Sequence, residues 1–329
     1  MNYLPSALPL SIALLTLAPA AWAQNSAPRG YAAETLHSID LLRADVTARH
    51  LPFRVGPNPA MEYSLQQLCG LNPALAPADA AAHEPGGYLN PEISETLTAL
   101  PRTYVGWFSS VKNQGQCGSC WAFSTIASVE GAYLKRTGAA QGEVTATGAI
   151  KVSGTQPELS EQQLVSCNPF NFSCGGGFFA FDMLMPSKVG PTGYYAGAAR
   201  AADFPYVAEN VACAVPDNAE FLPVTKWGYI VSATAIPSVA QIKSAIYTYG
   251  GVSAGVTVDS YFQAYTGGVY ANTGNSDPIN HAIVLVGWDD TKGAWLMKNS
   301  WGPSWGVNGF MWIKYGTSNV GTGACWVVD

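Results

Sequence analysis

The spacing of apolar residues changes part-way along the chain. Near the N-terminus, AAETLHSIDLLRADVTARH puts Leu36, Ile39, Leu42 and Val46 on one helical stripe with charges opposite. CWAFSTIASVEGAYLKRTG repeats the pattern with Ala122, Ile126, Val129 and Tyr133, and Gly138 supplies a stop. Ser160-Glu-Gln-Gln163 and Ser238-Val-Ala-Gln241 carry capping-box spacing and predict two further helix starts. In the last third GGVSAGVTV, HAIVLVGW, AWLMKNSW and GFMWIKY are short β-rich runs broken by Gly, Asn and Asp. Helices first and strands last predict an α+β protein with two unlike lobes. The polar stretch GAAQGEVTATGAIKVSGTQ, ahead of Ser160, predicts a surface loop or hairpin.

Export changes how the cysteines are read. An apolar run from Leu8 to Leu17 and the small-x-small pattern Ala21-Trp22-Ala23 predict a cleaved signal over 1–23, with Gln24 as the new terminus. Lys and Arg are missing ahead of that run, so a short membrane anchor is the competing reading; about ten apolar residues are too few to span a bilayer. A secreted or periplasmic protein keeps disulfides, which matters for seven cysteines. From Gln24 to Leu100 the chain is rich in Ala and Pro, as in NPALAPADAAAHEPGG. It reads either as an accessory segment packed on something larger or as a disordered linker. A net charge of −6 with no basic stripe leaves no footprint for nucleic acid.

The run VKNQGQCGSCWAFS sets Cys117 and Cys120 three apart. Such a pair is a redox couple, half a metal site, or a structural thiol beside a reactive one. Zinc needs a second close pair, which Cys167, Cys174, Cys213 and Cys325 do not form, so no metal is expected. A thioredoxin-like site needs a preceding strand, and none is evident. A nucleophilic thiol needs an imidazole to take its proton and later protonate the leaving amine. Of the four histidines, His37, His50 and His83 precede Pro101, which leaves His281. A lone histidine on a strand is ordinarily a satisfied core residue. Here NSWG follows 18 residues later, offering Asn299 to orient the ring and Trp301 to shield that contact from water.

These blocks resemble a known family. QGQCGSCWAF, INHAIVLVGW and KNSWGPSWGVNGF are similar to the three signature blocks of papain-family cysteine peptidases. SEQQLVSC, CGGG and DFPYVAENVAC match in order, so the resemblance covers Pro101 to Asp329. The 161 residues from Cys120 to His281 exceed the roughly 130–150 usual there, and the polar loop after the first helix explains much of the excess. The resemblance implies a helical lobe and a β-rich, barrel-like lobe flanking a cleft, in an exported, bacterial-type enzyme. It implies Cys120 as nucleophile, His281 as acid–base, Asn299 as orienting residue, and Gln114 with the Cys120 N–H as oxyanion donors. Gly176 and Gly177 would take extended substrate backbone. Phe178, Phe179, Gly255, Ile279 and Ala282 would line a pocket for a bulky apolar residue two positions before the cut. By the same resemblance Cys117 pairs with Cys174, and Cys167 with Cys213.

Residues 24–99 fall where such enzymes carry an inhibitory pro-segment, and 100–329 where they carry the peptidase domain, so a zymogen is expected. The segment does not match the long helical motif of plant and lysosomal pro-segments, and the mode of inhibition stays open. Cys69 and Cys325 are left over; a bridge between them and two buried free thiols both stand. With no second histidine after Pro101, an endopeptidase is expected rather than a carboxydipeptidase. The expected partners are peptide or protein substrates, with no cofactor, and the expected unit is a monomer. Two rival classes remain: an inactive peptide-binding relative, which would ordinarily have lost Cys120 or His281, and a transglutaminase-type acyl transferase, which would carry Asp where Asn299 stands.

Overall fold

The strands of the last third build the sheet on which the rest of the chain is arranged. The structure is a computed structural model describing residues 30–76, 100–139, 141–152, 154–185, 197–271 and 277–329. The expected signal, 1–23, lies outside the described residues. Ala32–Asp329 forms one compact unit. In chain order it contains α1 (Ala33–Ala48), β1 (Phe53–Val55), α2 (Leu65–Leu68), β2 (Thr103–Val105), α3 (Cys120–Thr137), β3 (Glu143–Val144), β4 (Ile150–Lys151) and α4 (Glu161–Ser166). There follow β5 (Ala198–Ala199), β6 (Phe221–Leu222), β7 (Lys226–Tyr229), α5 (Val239–Tyr249), β8 (Val252–Val256), α6 (Ser260–Gln263), β9 (Tyr265–Tyr270), β10 (His281–Asp289), β11 (Ala294–Lys298), β12 (Phe310–Lys314) and β13 (Thr322–Val328).

Nine strands form one sheet in the order β1-β9-β12-β11-β10-β8-β13-β7, with β2 also on β10. All pairings are antiparallel except β12 with β9. β10 is buried along its whole length, which is why its sequence is a continuous apolar run. It also changes partner: His281–Leu285 pair with β8, and Gly287–Asp289 with β2. That hand-over forks the sheet, so the barrel-like lobe expected from the sequence is an open sheet among the described strands. One core lies on this sheet, around Ile283, Leu285, Trp288, Trp295 and Met297. A second surrounds α3, with Trp121, Ile126, Val129, Leu164 and Phe178.

α3 ends as its sequence demands, with Gly138 left-handed at φ 65° and Lys135 and Arg136 in the last turn. At Ser238 both halves of the capping box form. At Ser160 only one does, because the Gln163 side chain is drawn to Gly197 O at 3.0 Å and Ala199 N at 2.7 Å. The polar insertion is a hairpin, β3 on β4.

The N-terminal segment is packed, not a linker, over its described part. On α1, Ile39 is buried and Leu42 and Val46 lean on the sheet core, whereas Leu36, expected on the same stripe, is 42% exposed. β1 adds to the sheet edge at β9. Asn58 Nδ2 donates to Gln263 O at 2.9 Å, and Gln263 Nε2 returns bonds of 2.8 Å to Ala60 O and Tyr63 O.

Candidate active site

Cys120 is the first residue of α3 and fully buried. The loop before it is fixed from several sides. A disulfide joins Cys117 to Cys174, Ser119 Oγ lies 2.7 Å from Tyr206 Oη, and Tyr206 Oη donates to Gln114 O at 2.9 Å. His281 opens β10. One turn into α3, Ser124 Oγ donates to Ile283 O at 2.8 Å, and the backbone amide of Ala282 reaches the Cys120 sulphur. Helix and strand thus bring the predicted nucleophile and base together. His281 Nε2 lies 2.8 Å from Asn299 Oδ1, and Ser300 N donates to that same oxygen at 2.8 Å. An oxygen that already accepts from Ser300 accepts from the imidazole too, so Nε2 carries the proton and Nδ1 keeps its lone pair. Nδ1 makes no hydrogen bond. Trp301, 2% exposed, covers the ring with centroids 4.8 Å apart.

A stretch of the N-terminal segment crosses this constellation. α2 starts with a complete capping box, Ser64 with Gln67, which delivers Leu68 to the site. Gln114 Nε2 donates to Leu68 O at 3.0 Å and to Cys117 O at 2.8 Å, while Gln114 Oε1 accepts from Ser300 Oγ at 2.7 Å. Gly70 N points at Cys120 Sγ at 3.2 Å. Gly177 N donates to Gly70 O at 2.9 Å and Asn72 N to Gly177 O at 3.0 Å, so Leu71 and Gly177 form a parallel bridge. A side chain on Gly176, whose φ is 130°, would meet Gly70 O at 3.0 Å; one on Gly177 would strike the Trp121 ring at 2.6 Å. Leu71, 4% exposed, joins the apolar cluster of Phe178, Phe179, Ile279 and Ala282. A methyl added at Gly255 would touch Ile279 Cδ1 at 2.6 Å and Leu71 Cδ2 at 3.2 Å. Leu71 thus shares one apolar cluster with four of the five residues expected to line a pocket and lies against the fifth, Gly255.

Covered in this way, the pair is uncharged. Burial pushes the Cys120 thiol up to about 11, against backbone amides that favour its anion. Burial likewise drives His281 down to about 4, opposed by the Asn299 contact and the Leu68 carbonyl. Among the described residues no cluster of His, Cys, Asp and Glu could hold a metal ion, and no helix is long and apolar enough to cross a membrane.

A family profile described as "Papain family cysteine protease" matches residues 101–327. The chain belongs to the papain family. Among curated proteins it is 34% identical to cathepsin K of Gallus gallus over 214 residues, 63% of this chain and 55% of that protein. It is 32% identical to cathepsin K of Mus musculus over 218 residues, 65% and 58% of the two chains. The chain thus spans a little over half the length of these relatives. Both are animal proteins and lend no support to the expected bacterial type. Among solved structures, a digestive procathepsin L2 from Tenebrio molitor larval midgut superposes with a TM-score of 0.70 at 23% identity, covering 90% of each chain. The ragweed pollen allergen Amb a 11 in its proform gives 0.68 at 22%, covering 90% of this chain and 87% of that one. The papain-like α+β fold is thereby established.

Two disulfides, Cys117–Cys174 and Cys167–Cys213, stand where the papain-family resemblance implied them. The bridge considered between Cys69 and Cys325 is not formed. Cys325 is buried on β13 with its sulphur 3.7 Å from Ser253 O, whereas Cys69 lies beside Cys120. The residues that sequence reasoning missed are Leu68, Gly70 and Leu71. Their one local signal was the Ser64-x-x-Gln67 box, which marks a helix start but not what the helix docks against.

Proposed function

We propose that this chain is a cysteine endopeptidase made as a zymogen, with residues 24–99 as pro-segment and 100–329 as peptidase domain behind an export signal at 1–23. The observation that carries the reading is Gln114 Nε2 holding a carbonyl oxygen, that of Leu68, beside the Cys120 sulphur. An amide donor already on a carbonyl next to a thiol is what an oxyanion site requires. With the cleft open, His281 Nδ1 takes the Cys120 proton, and the start of α3 favours the resulting thiolate. The thiolate attacks a peptide carbonyl, and the oxyanion is held by Gln114 Nε2 and the Cys120 N–H. The imidazolium protonates the leaving amine. Water, deprotonated in turn by His281, then hydrolyses the thioester and restores both groups. Asn299 keeps the ring in the tautomer this needs, and Trp301 keeps water from that contact.

The pro-segment blocks the site by polarity. A substrate places its pocket residue before the carbonyl under attack. In the docked segment Leu71 occupies the pocket but follows the Leu68 carbonyl, and its bridge to Gly177 is parallel. Threaded backwards, it offers Cys120 no peptide bond with its amine facing His281. Export, a monomeric unit and protein or peptide substrates complete the reading, and the two disulfides support the oxidising compartment.

Replacing Cys120 with Ala should abolish hydrolysis with the fold intact, whereas Cys117→Ala should lower stability by about 2–5 kcal/mol through loss of a staple. Labelling of the processed chain by a cysteine-directed epoxide, with product analysis on a peptide library, tests the remainder. Wild-type turnover by Cys120→Ala would end the proposal. Stepwise release of C-terminal dipeptides, or a preference for acidic residues two positions before the cut, would remove the endopeptidase and pocket assignments.

A further inference from the structure

Three of the seven cysteines are free thiols, and two of them meet in the cleft. Gly70 N is 3.2 Å from Cys120 Sγ, and the Cys69 Cα is two covalent bonds from that nitrogen, about 2.4 Å. Cys69 Cα therefore lies within about 5.6 Å of the sulphur. At that separation a bridge asks for rotation of the Cys69 side chain and local settling of the backbone. The backbone on both sides of Cys69 is pinned to the site, Leu68 O by Gln114 and Gly70 O by Gly177. Room for any other register is absent, since a side chain at Gly70 would fall 1.7 Å from Gly118 O.

We propose that Cys69 forms a disulfide with Cys120, locking the pro-segment covalently onto the nucleophile and making release of the enzyme depend on reduction. The inference rests on the zymogen reading, because the lock matters only while residues 68–72 fill the site. Its chemistry is thiol–disulfide exchange with a low-molecular-weight disulfide such as glutathione disulfide. Cys69, the partly exposed member, gives up its proton and attacks one sulphur, expelling a glutathione thiolate that is then protonated. Cys120 then attacks the Cys69 sulphur of the mixed disulfide, and the expelled second glutathione takes up the Cys120 proton. Two protein thiols and one glutathione disulfide become one protein disulfide and two glutathione thiols. Electrostatic contact between the two sulphurs already raises the Cys69 pKa, after the larger effect of burial.

The test equilibrates the full-length chain in glutathione buffers from fully reduced to strongly oxidised, then quenches with acid and alkylates. Unreduced peptides are read by mass spectrometry. The proposal expects a Cys69–Cys120 cross-linked peptide that grows with the oxidised fraction and vanishes in excess reduced glutathione. It also expects self-processing at least about tenfold slower in the oxidised buffer, with that difference lost in Cys69→Ser. Alkylation of Cys69 and Cys120 at every ratio, glutathione on Cys69 with no cross-link, a Cys69–Cys325 peptide, or an unchanged redox response in Cys69→Ser would each overturn it. Should the reduced, processed Cys69→Ser chain hydrolyse no peptide, the peptidase reading fails, and the cross-link measurement still decides the lock by itself.

Discussion

Gly70 presents its amide to the Cys120 sulphur at 3.2 Å, and a β-carbon there would lie 1.7 Å from Gly118 O. Gly118 cannot yield, because its N–H is bonded to Cys174 O at 2.9 Å and Cys174 is tied to Cys117. Gly70→Ala should therefore unseat residues 68–72 by about 1–3 kcal/mol, the usual cost of overpacking. On the zymogen proposal, residual hydrolysis by the full-length chain would rise roughly 5- to 150-fold, while enzyme processed near residue 100 would be unaffected. An unprocessed Gly70→Ala chain as silent as wild type would show that the docking seen here does not cause inhibition.

Gln114 is gripped on both ends of its amide, by Ser300 at Oε1 and by Cys117 O and Leu68 O at Nε2. In the proposed mechanism this preorganised donor acts on the charge that develops in the transition state. Gln114→Ala should cost about 10²–10³ in kcat of the processed enzyme with little change in KM. A rise in KM at constant kcat would instead mean that the side chain only shapes the cleft. The same variant should loosen the docked residues 68–72 by about 0.5–1.5 kcal/mol, one hydrogen bond.

Much of this site was legible because its residues sit in contiguous blocks. The stripe from Ala122 to Tyr133 with Gly138 behind it gave α3, and QGQCGSC and NSWG gave the groups that converge on His281. What stayed illegible depends on partners far away in the chain. Residues 68–72 have no periodicity, and their order comes from backbone bonds to Gly177 and Asn280 that no local pattern encodes. β1 is three residues long and exists as a strand only against β9. The fork at β10 and the diversion of Gln163 away from its capping box are tertiary effects that override good local signals.

Acid should loosen the docked segment. With the cleft covered, burial holds His281 near 4 instead of 6.5, so its neutral form favours docking above pH 6.5, and that contribution is lost as pH falls from 6.5 toward 4. Cys120 acts oppositely. Raised to about 11 from 9.0, its neutral thiol favours docking below pH 9 and the contribution disappears as pH rises toward 11. On the acid side docking should thus weaken as pH falls below about 6.5. Hydrogen exchange at Leu71 and Asn72, whose amides donate to Asn280 O and Gly177 O, in the Cys120→Ala chain, which cannot process itself, isolates the acid limb. Protection that stays level from pH 7 to 4 would exclude His281 as its source.

Behind Asn299 lies a buried charge cluster whose loss should be felt throughout the fold. Glu130 is fully buried; its carboxylate meets Lys112 Nζ at 2.8 Å and Ser109 Oγ, which in turn receives Lys298 Nζ at 2.8 Å. Burial pushes the Glu130 carboxyl up, yet Lys112 and Lys298 outweigh it and hold the group below its ordinary value. Lys298 is depressed to about 8 by burial, even with Glu130 and Glu161 favouring its charge. Glu130→Gln removes that compensation and should cost about 3–5 kcal/mol, the penalty for breaking a buried pair. Thermal unfolding in the Cys120→Ala background should record a fall of roughly 6–20 °C. The loss should shrink at alkaline pH. A lysine whose folded pKa lies below its unfolded 10.5 binds fewer protons when folded, so stability rises with pH across the window from about 8 to 10.5, and more steeply once Glu130 no longer holds the proton in place. A deficit that stays constant from pH 7 to 10 would mean that Glu130 contributes packing and hydrogen bonds to Ser109 and Leu159, not charge.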